Sequence, residues 1–159
     1  MNQREQLLED YRKAPDAVRQ TLHRFPPEMW KYRVDEKSWS VHEIVIHLCD
    51  SDVVASMRCR KIIAENGAEL EPYNQNAWVR ELDYHGQNPE EALELMEAMR
   101  KYNYKMLKAV PELIWATHNA FHMDLGAITL DDWLSIYARH PYLHIEQMER
   151  IHDAWQQSR

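Results

Sequence analysis

Four stretches of this chain place apolar residues at steps of three and four, each bounded by residues that start or stop a helix, so the chain is bound to pack helices. The first, Gln3 to Phe25, carries Leu7, Leu8, Tyr11, Ala14, Val18 and Leu22 on one face. Pro15 lies inside it, removing a backbone donor and crowding the preceding turn, and Phe25-Pro26-Pro27 ends it. A charged connection covers Glu28 to Lys37. The second stretch has the sharpest start: Ser40 caps it, Glu43 reaches back, and Trp39 and Ile44 close over the turn as a hydrophobic staple. It is expected to reach Asn66, with Gly67 supplying a left-handed stop. Its inward face reads Ile44, His47, Leu48, Ser51, Ala55, Arg58 and Ile62.

The third stretch opens on Asn88-Pro89-Glu90-Glu91, a cap followed by proline at the first helical position, and Pro111 stops it. Leu93, Met96, Ala98, Met99, Tyr102, Met106, Leu107 and Val110 are read as its apolar face. Thr129 caps the fourth, which has Asp132 in its first turn and continues to about Gln156. The segment from Ala68 to Gln87, with a short helix near Ala77 to Leu82, is long enough to bridge two parallel helices. Glu112 to Ile128 reads as another connection. Only 3 glycines and 45% apolar residues in 159 agree with packed helices rather than a turn-rich β fold. No repeat, low-complexity tract or linker divides residues 1–159, so a single all-α domain is expected.

The formal charge of -7 opposes tight binding to a phosphate backbone, which draws on clustered Lys and Arg, so no nucleic acid partner is expected. No run of about 18 apolar residues follows the charged start or occurs elsewhere. A soluble cytoplasmic protein with no membrane partner is the expectation. Cys49 and Cys59, ten residues apart on one helix at ~1.5 Å per residue, lie too far apart to bridge and are read as free thiols of a reducing compartment.

On the fourth helix, His140 and His144 project from one side, on a stripe otherwise made of Trp133, Ile136, Tyr137, Met148 and Ile151, with Gln147 as a further polar member. Such a pair is as readily a hydrogen-bonded core pair as a metal clamp. His47 interrupts the buried stripe of the second helix in the same way. Bundle metal sites are built where polar residues interrupt facing apolar stripes, and an up-down bundle brings these stripes together. Three neutral imidazoles suit Zn, Ni, Co or Fe and leave positions open for water or substrate. Affinity should fall near pH 6.5, where protons compete for unperturbed rings. Asp50, Arg58 and Gln147 are the candidate pocket residues; Arg58 and Arg60 are able to bind an anionic group, with a surface or structural salt bridge the favoured reading of each. Glu43 is read as a cap rather than a partner of His47, Asp52 as a solvated acid, and His118 and His122 as loop residues, in a segment before Gly126 that is able to fold over the site.

The runs Trp39-Ser40-Val41-His42-Glu43-Ile44-Val45-Ile46-His47-Leu48-Cys49-Asp50-Ser51-Asp52, Arg58 to Glu65, Ala77-Trp78, Gly126-Ala127-Ile128-Thr129-Leu130 and His140 to Gln147 resemble the DinB/YfiT superfamily of metal-binding four-helix bundles. The resemblance covers nearly the whole chain. It implies a four-helix bundle with long crossover connections and a divalent metal, Zn or Ni foremost with Co, Fe or Mn as others, on His47, His140 and His144. It also implies a metal-dependent enzyme moving a low-molecular-weight thiol, such as bacillithiol or mycothiol, onto an electrophilic small molecule. The alternatives are a hydrolase using metal-activated water and a non-catalytic metal-binding bundle of a stress response. Homodimerisation is a further expectation, from the family and from the six tryptophans and eight tyrosines. Pro141 and Leu143 depart from the family pattern, which places ordinary helix formers between the two histidines. Pro141 cannot donate to the carbonyl of Tyr137 and is expected to bend the helix there.

Overall fold

A computed structural model describes residues 2–159. Four long helices dominate: α1 (Gln3–Arg24), α2 (Val41–Ala64), α4 (Pro89–Lys108) and α6 (Leu130–Gln157). Two short ones, α3 (Gln75–Glu81) and α5 (Glu112–Thr117), stand in the connections. The starts follow local chemistry. Ser40 accepts from the Glu43 amide while Glu43 accepts from the Ser40 amide, and Thr129 with Asp132 repeats the arrangement on α6. The α2 helix stops at Ala64, two residues before the expected end, and Gly67 takes the left-handed conformation with φ 82°.

The long helices form a four-helix bundle in which α1 neighbours α4 and α6, and α2 neighbours the same two. Contacts along each pair set the directions. Arg4 meets Asp131 and Arg24 meets Glu149, so α1 and α6 are parallel. Asp52 meets Arg100 and Arg60 meets Asn103, so α2 and α4 are parallel as well. Tyr104 reaches Glu9 and His23 reaches Glu90, which makes α1 and α4 antiparallel. The order is therefore up, down, down, up rather than simple alternation, and the stretch between α2 and α4 does bridge two parallel helices. The other two connections cross the bundle diagonally.

The connections also hold a small sheet, where the sequence pattern predicts only loop. Strand β1 (Ala68–Leu70) pairs in parallel with β2 (Asn119–His122), which pairs antiparallel with β3 (Gly126–Thr129). It packs at the C-terminal end of α2, where the His118 ring meets the Ile63 carbonyl.

The α4 face differs from the expected one. Its buried positions are Pro89, Leu93, Met96, Arg100, Asn103 and Leu107, at strict steps of three and four, whereas Tyr102 is 69% exposed and Ala98 is also exposed. On α6, Ile136 likewise turns outward. Arg100 is the hub of the bundle. Its guanidinium forks onto the carboxylate of Asp52, at 2.5 and 2.8 Å, and both groups are buried. Asp52 is thus no solvated acid.

The remaining Arg100 donors settle the two prolines. A proline leaves the carbonyl four residues earlier without its helical donor. For Pro15 that carbonyl belongs to Tyr11 and for Pro141 to Tyr137. Arg100 Nη1 donates to Tyr11 O at 2.9 Å, and Nη2 donates to Tyr137 O at 3.1 Å. One side chain therefore ties α4 to α1, α2 and α6, and α6 continues as a single element through Pro141.

Candidate metal centre

The antiparallel contact of α2 with α6 carries the site. Trp133 Nε1 donates to the Ala55 carbonyl at one level. Two turns further along, His47 faces His140 and His144, with ring centroids 5.3 and 5.0 Å away and the latter two 4.6 Å apart. One nitrogen from each of the three rings lies within 4.8 Å of the others. The Nε2 atoms of His140 and His144 are 3.0 Å apart, two aromatic nitrogens aimed at one place.

Second partners orient the rings. His144 Nδ1 lies 2.9 Å from Gln147 Oε1, one turn on, so Nδ1 carries the proton and Nε2 keeps its lone pair. Trp39 packs against His47 at 4.7 Å and stacks on His144 at 6.4 Å, making one wall. Sequence reading gave Trp39 only a role in the staple; its place directly before a cap gave no hint of the second.

Both nitrogens of His47 and Nδ1 of His140 are buried without a hydrogen-bond partner. Buried polar atoms are rarely left so. A neutral imidazole has a single lone pair, so a cation takes one nitrogen from each ring: it would satisfy one of the two orphaned His47 nitrogens and draw on the converging Nε2 atoms of His140 and His144, and the donor set fits a divalent metal in that way. No fourth histidine, cysteine, aspartate or glutamate joins the centre among the described residues, so three side chains of these types would leave coordination positions for water or substrate.

Burial lowers the proton affinity of the site. His47 and His140 are both pushed down to about 3, chiefly by desolvation and further by their histidine neighbours; His144 is also lowered by desolvation, against its Gln147 hydrogen bond. Proton competition with a metal therefore moves well below the pH 6.5 of free imidazole. In metal-free protein the unfolded chain takes up protons near 6.5 and the fold does not until about 3. Stability from these rings is full above 6.5 and declines as pH falls towards 3, by about 1.4 kcal/mol per histidine per pH unit. Chelator-treated protein should show a distinctly lower urea midpoint at pH 5 than at pH 7.5. Equal midpoints would mean that the rings are not held neutral.

The other candidates divide. Glu43 is buried in its cap and paired with Arg33, and makes no bond to His47. Asp50 accepts from the Tyr84 hydroxyl at 2.5 Å. Arg60 donates to the Ser56 carbonyl and Asn103, a structural role. Arg58 is buried and donates to the hydroxyl of Tyr137, whose ring is 6.4 Å from that of His140. His118 and His122 stay with the sheet, outside the cluster. Cys49 and Cys59 are free and buried, their thiols pushed up by desolvation to about 12 and 11, which makes them poor nucleophiles. No helix among the described residues is long and apolar enough to cross a membrane.

A bundle whose facing helices replace apolar residues with convergent histidines is the architecture of helical metal-site proteins. The chain belongs to the DinB superfamily, whose family model matches residues 10–148. It is 30% identical over 114 residues to OB0782 of Oceanobacillus iheyensis, a proposed metal-dependent hydrolase, an alignment covering 71% of this chain and 64% of that relative. With YfiT of Bacillus subtilis, likewise a proposed metal-dependent hydrolase, identity is 21% over 94% of this chain and 84% of the other. The solved YfiT structure, described as a probable metal-dependent hydrolase with an unusual four-helix bundle topology, superposes with a TM-score of 0.86 over 95% of this chain and 87% of that one, at 19% identity. A mycothiol-dependent maleylpyruvate isomerase superposes with a TM-score of 0.71 at 13% identity, over 92% of this chain but 61% of its own. At these identities the superpositions establish the shared fold.

Proposed function

We propose that this protein is a metal-dependent enzyme acting on small molecules, and that His47, His140 and His144 are its metal ligands. The convergence of one nitrogen from each ring within 4.8 Å, with His47 buried and without a hydrogen-bond partner on either nitrogen, carries the reading. A divalent ion held there supplies a Lewis acid that makes a coordinated thiol or water a stronger acid. The protein's own part is positioning. Gln147 holds the His144 tautomer, Trp39 shields one side, and burial keeps the three imidazoles neutral and available.

Within that class, the reaction we favour is transfer of a low-molecular-weight thiol to an electrophile. A centre with open positions and a buried cation, Arg58, joined to it through Tyr137 suits a charged thiol cosubstrate, and the resemblance in fold to a mycothiol-dependent enzyme supports it. Hydrolysis is the second reading, favoured by the descriptions of the sequence relatives. Screening zinc- and nickel-loaded protein with several thiols and a chromogenic electrophile should give turnover that chelator abolishes. Turnover of amide or ester substrates with none for any thiol would remove the transferase reading. The same proposal includes a homodimer, and light scattering showing only a 19.1 kDa particle would remove that part.

A further inference from the structure

Among the described residues, four buried side-chain nitrogens lack a hydrogen-bond partner: Nδ1 and Nε2 of His47, Nδ1 of His140, and Nε of Arg58. Three belong to the histidine centre. The fourth belongs to a guanidinium joined to the centre through Tyr137, whose hydroxyl it reaches and whose ring lies 6.4 Å from that of His140. Arg58 is 7% exposed, and its two bonds, Nη1 to the Tyr137 hydroxyl at 3.0 Å and Nη2 to the Glu71 carbonyl at 2.8 Å, are both to neutral oxygens. Among the described residues no carboxylate pairs with it: Asp52 is taken by Arg100 in a buried ion pair, and Asp50 is held by Tyr84.

A buried cation without a counter-charge is costly, and a neutral side chain could bridge a hydroxyl and a carbonyl at far less expense. Guanidinium also carries five N–H donors in a planar fork, of which these two bonds leave Nε and further Nη hydrogens unused. Such a fork matches the two oxygens of a carboxylate or phosphate. Its position is suited to a ligand of the centre. Tyr137 links Arg58 to His140 through one aromatic ring, Ser51 lies one turn beyond His47 on the same buried face, and Tyr73 lies within electrostatic reach of both Arg58 and Tyr137.

We propose that Arg58 is the anion-recognition residue of the site, and that the small molecule handled at the histidine centre carries a carboxylate or phosphate which Arg58 supplies with its counter-charge. The inference rests on the reading of the centre as a small-molecule site. It gives the orphaned Nε a partner and explains why this position holds arginine inside a core. Arg58 acts in binding rather than in chemistry, so its effect should appear in ligand affinity.

The test is calorimetric titration of wild type, Arg58→Lys and Arg58→Gln with malonate and with inorganic phosphate, each protein in chelated and zinc-loaded form. Wild type should bind at least one of the two anions even when chelated, since Arg58 itself needs no metal. The anion that binds identifies the source of the oxygens. Arg58→Gln should bind roughly tenfold to a hundredfold more weakly, the range for a lost charged hydrogen-bond pair. Arg58→Lys, keeping charge but losing the fork, should fall between, with zinc content unchanged in all three. The proposal is overturned if wild type binds neither anion, if Arg58→Gln binds as well as wild type, or if both variants lose the near-ultraviolet dichroism of the native core, which would assign Arg58 to folding. Failure to take up zinc with anion binding intact would remove the metal reading alone and leave the anion site standing.

Discussion

Replacing His144 by alanine is expected to leave the purified protein nearly free of divalent metal at neutral pH, while the native protein carries about one ion per chain. The substitution removes one of three convergent donors and leaves the other two without the geometry a cation needs. The loss in affinity should exceed the roughly 10- to 100-fold that partners outside the ligand set are worth, and Gln147→Ala, which frees the His144 ring without removing it, should fall within that range. The helix should tolerate both, because His144 lies on the half-exposed part of α6 and alanine is a good helix former. Elemental analysis alongside circular dichroism decides it. Equal metal content in His144→Ala and the native protein would make His144 a packing residue and remove the centre.

The second large effect concerns stability. Arg100→Met should destabilise the protein by at least about 3–5 kcal/mol, the cost of leaving one partner of a buried ion pair uncompensated. In this chain the loss goes further, since the carbonyls of Tyr11 and Tyr137, already deprived of helical donors by Pro15 and Pro141, would lose Arg100 as well. Against a typical total of 5–15 kcal/mol, the variant should unfold at much lower urea or fail to accumulate. Adding Asp52→Leu should restore part of the loss by removing the stranded carboxylate. Chemical denaturation of the single and double variants gives the comparison. A single variant within 1 kcal/mol of native, or a double variant losing the sum of both single costs, would show that the hub is not what holds these helices. Because Asp52 lies on α2 and Tyr137 on α6, the helices that carry His47 and His140, the same variant should also bind metal more weakly.

Several features were legible along the chain because they are local. A capping box needs only Ser40 and Glu43 at their spacing, and the apolar steps of α1 and α2 mark the same faces that the fold buries. The three histidines were legible as interruptions of such faces. Arg100 and Asn103 were not, since reading α4 by its apolar letters alone shifted the face towards Tyr102; the strict steps 93, 96, 100, 103 and 107 were the available signal. The sheet escaped because its strands are three or four residues long and β1 meets β2 some fifty residues away.

By itself, then, the amino-acid order determined the helices, their caps and the three rings that turn inwards, because helical periodicity and capping act within a few residues of one another. Tertiary structure alone decided the rest. Which carbonyl a proline-broken turn would offer, that one arginine would reach two of them, and that a second arginine would be buried with no acid beside it depend on helices meeting across separations of 37 to 89 residues. Buried charge is settled by what lies opposite, and no spacing along one helix specifies what another helix brings to it.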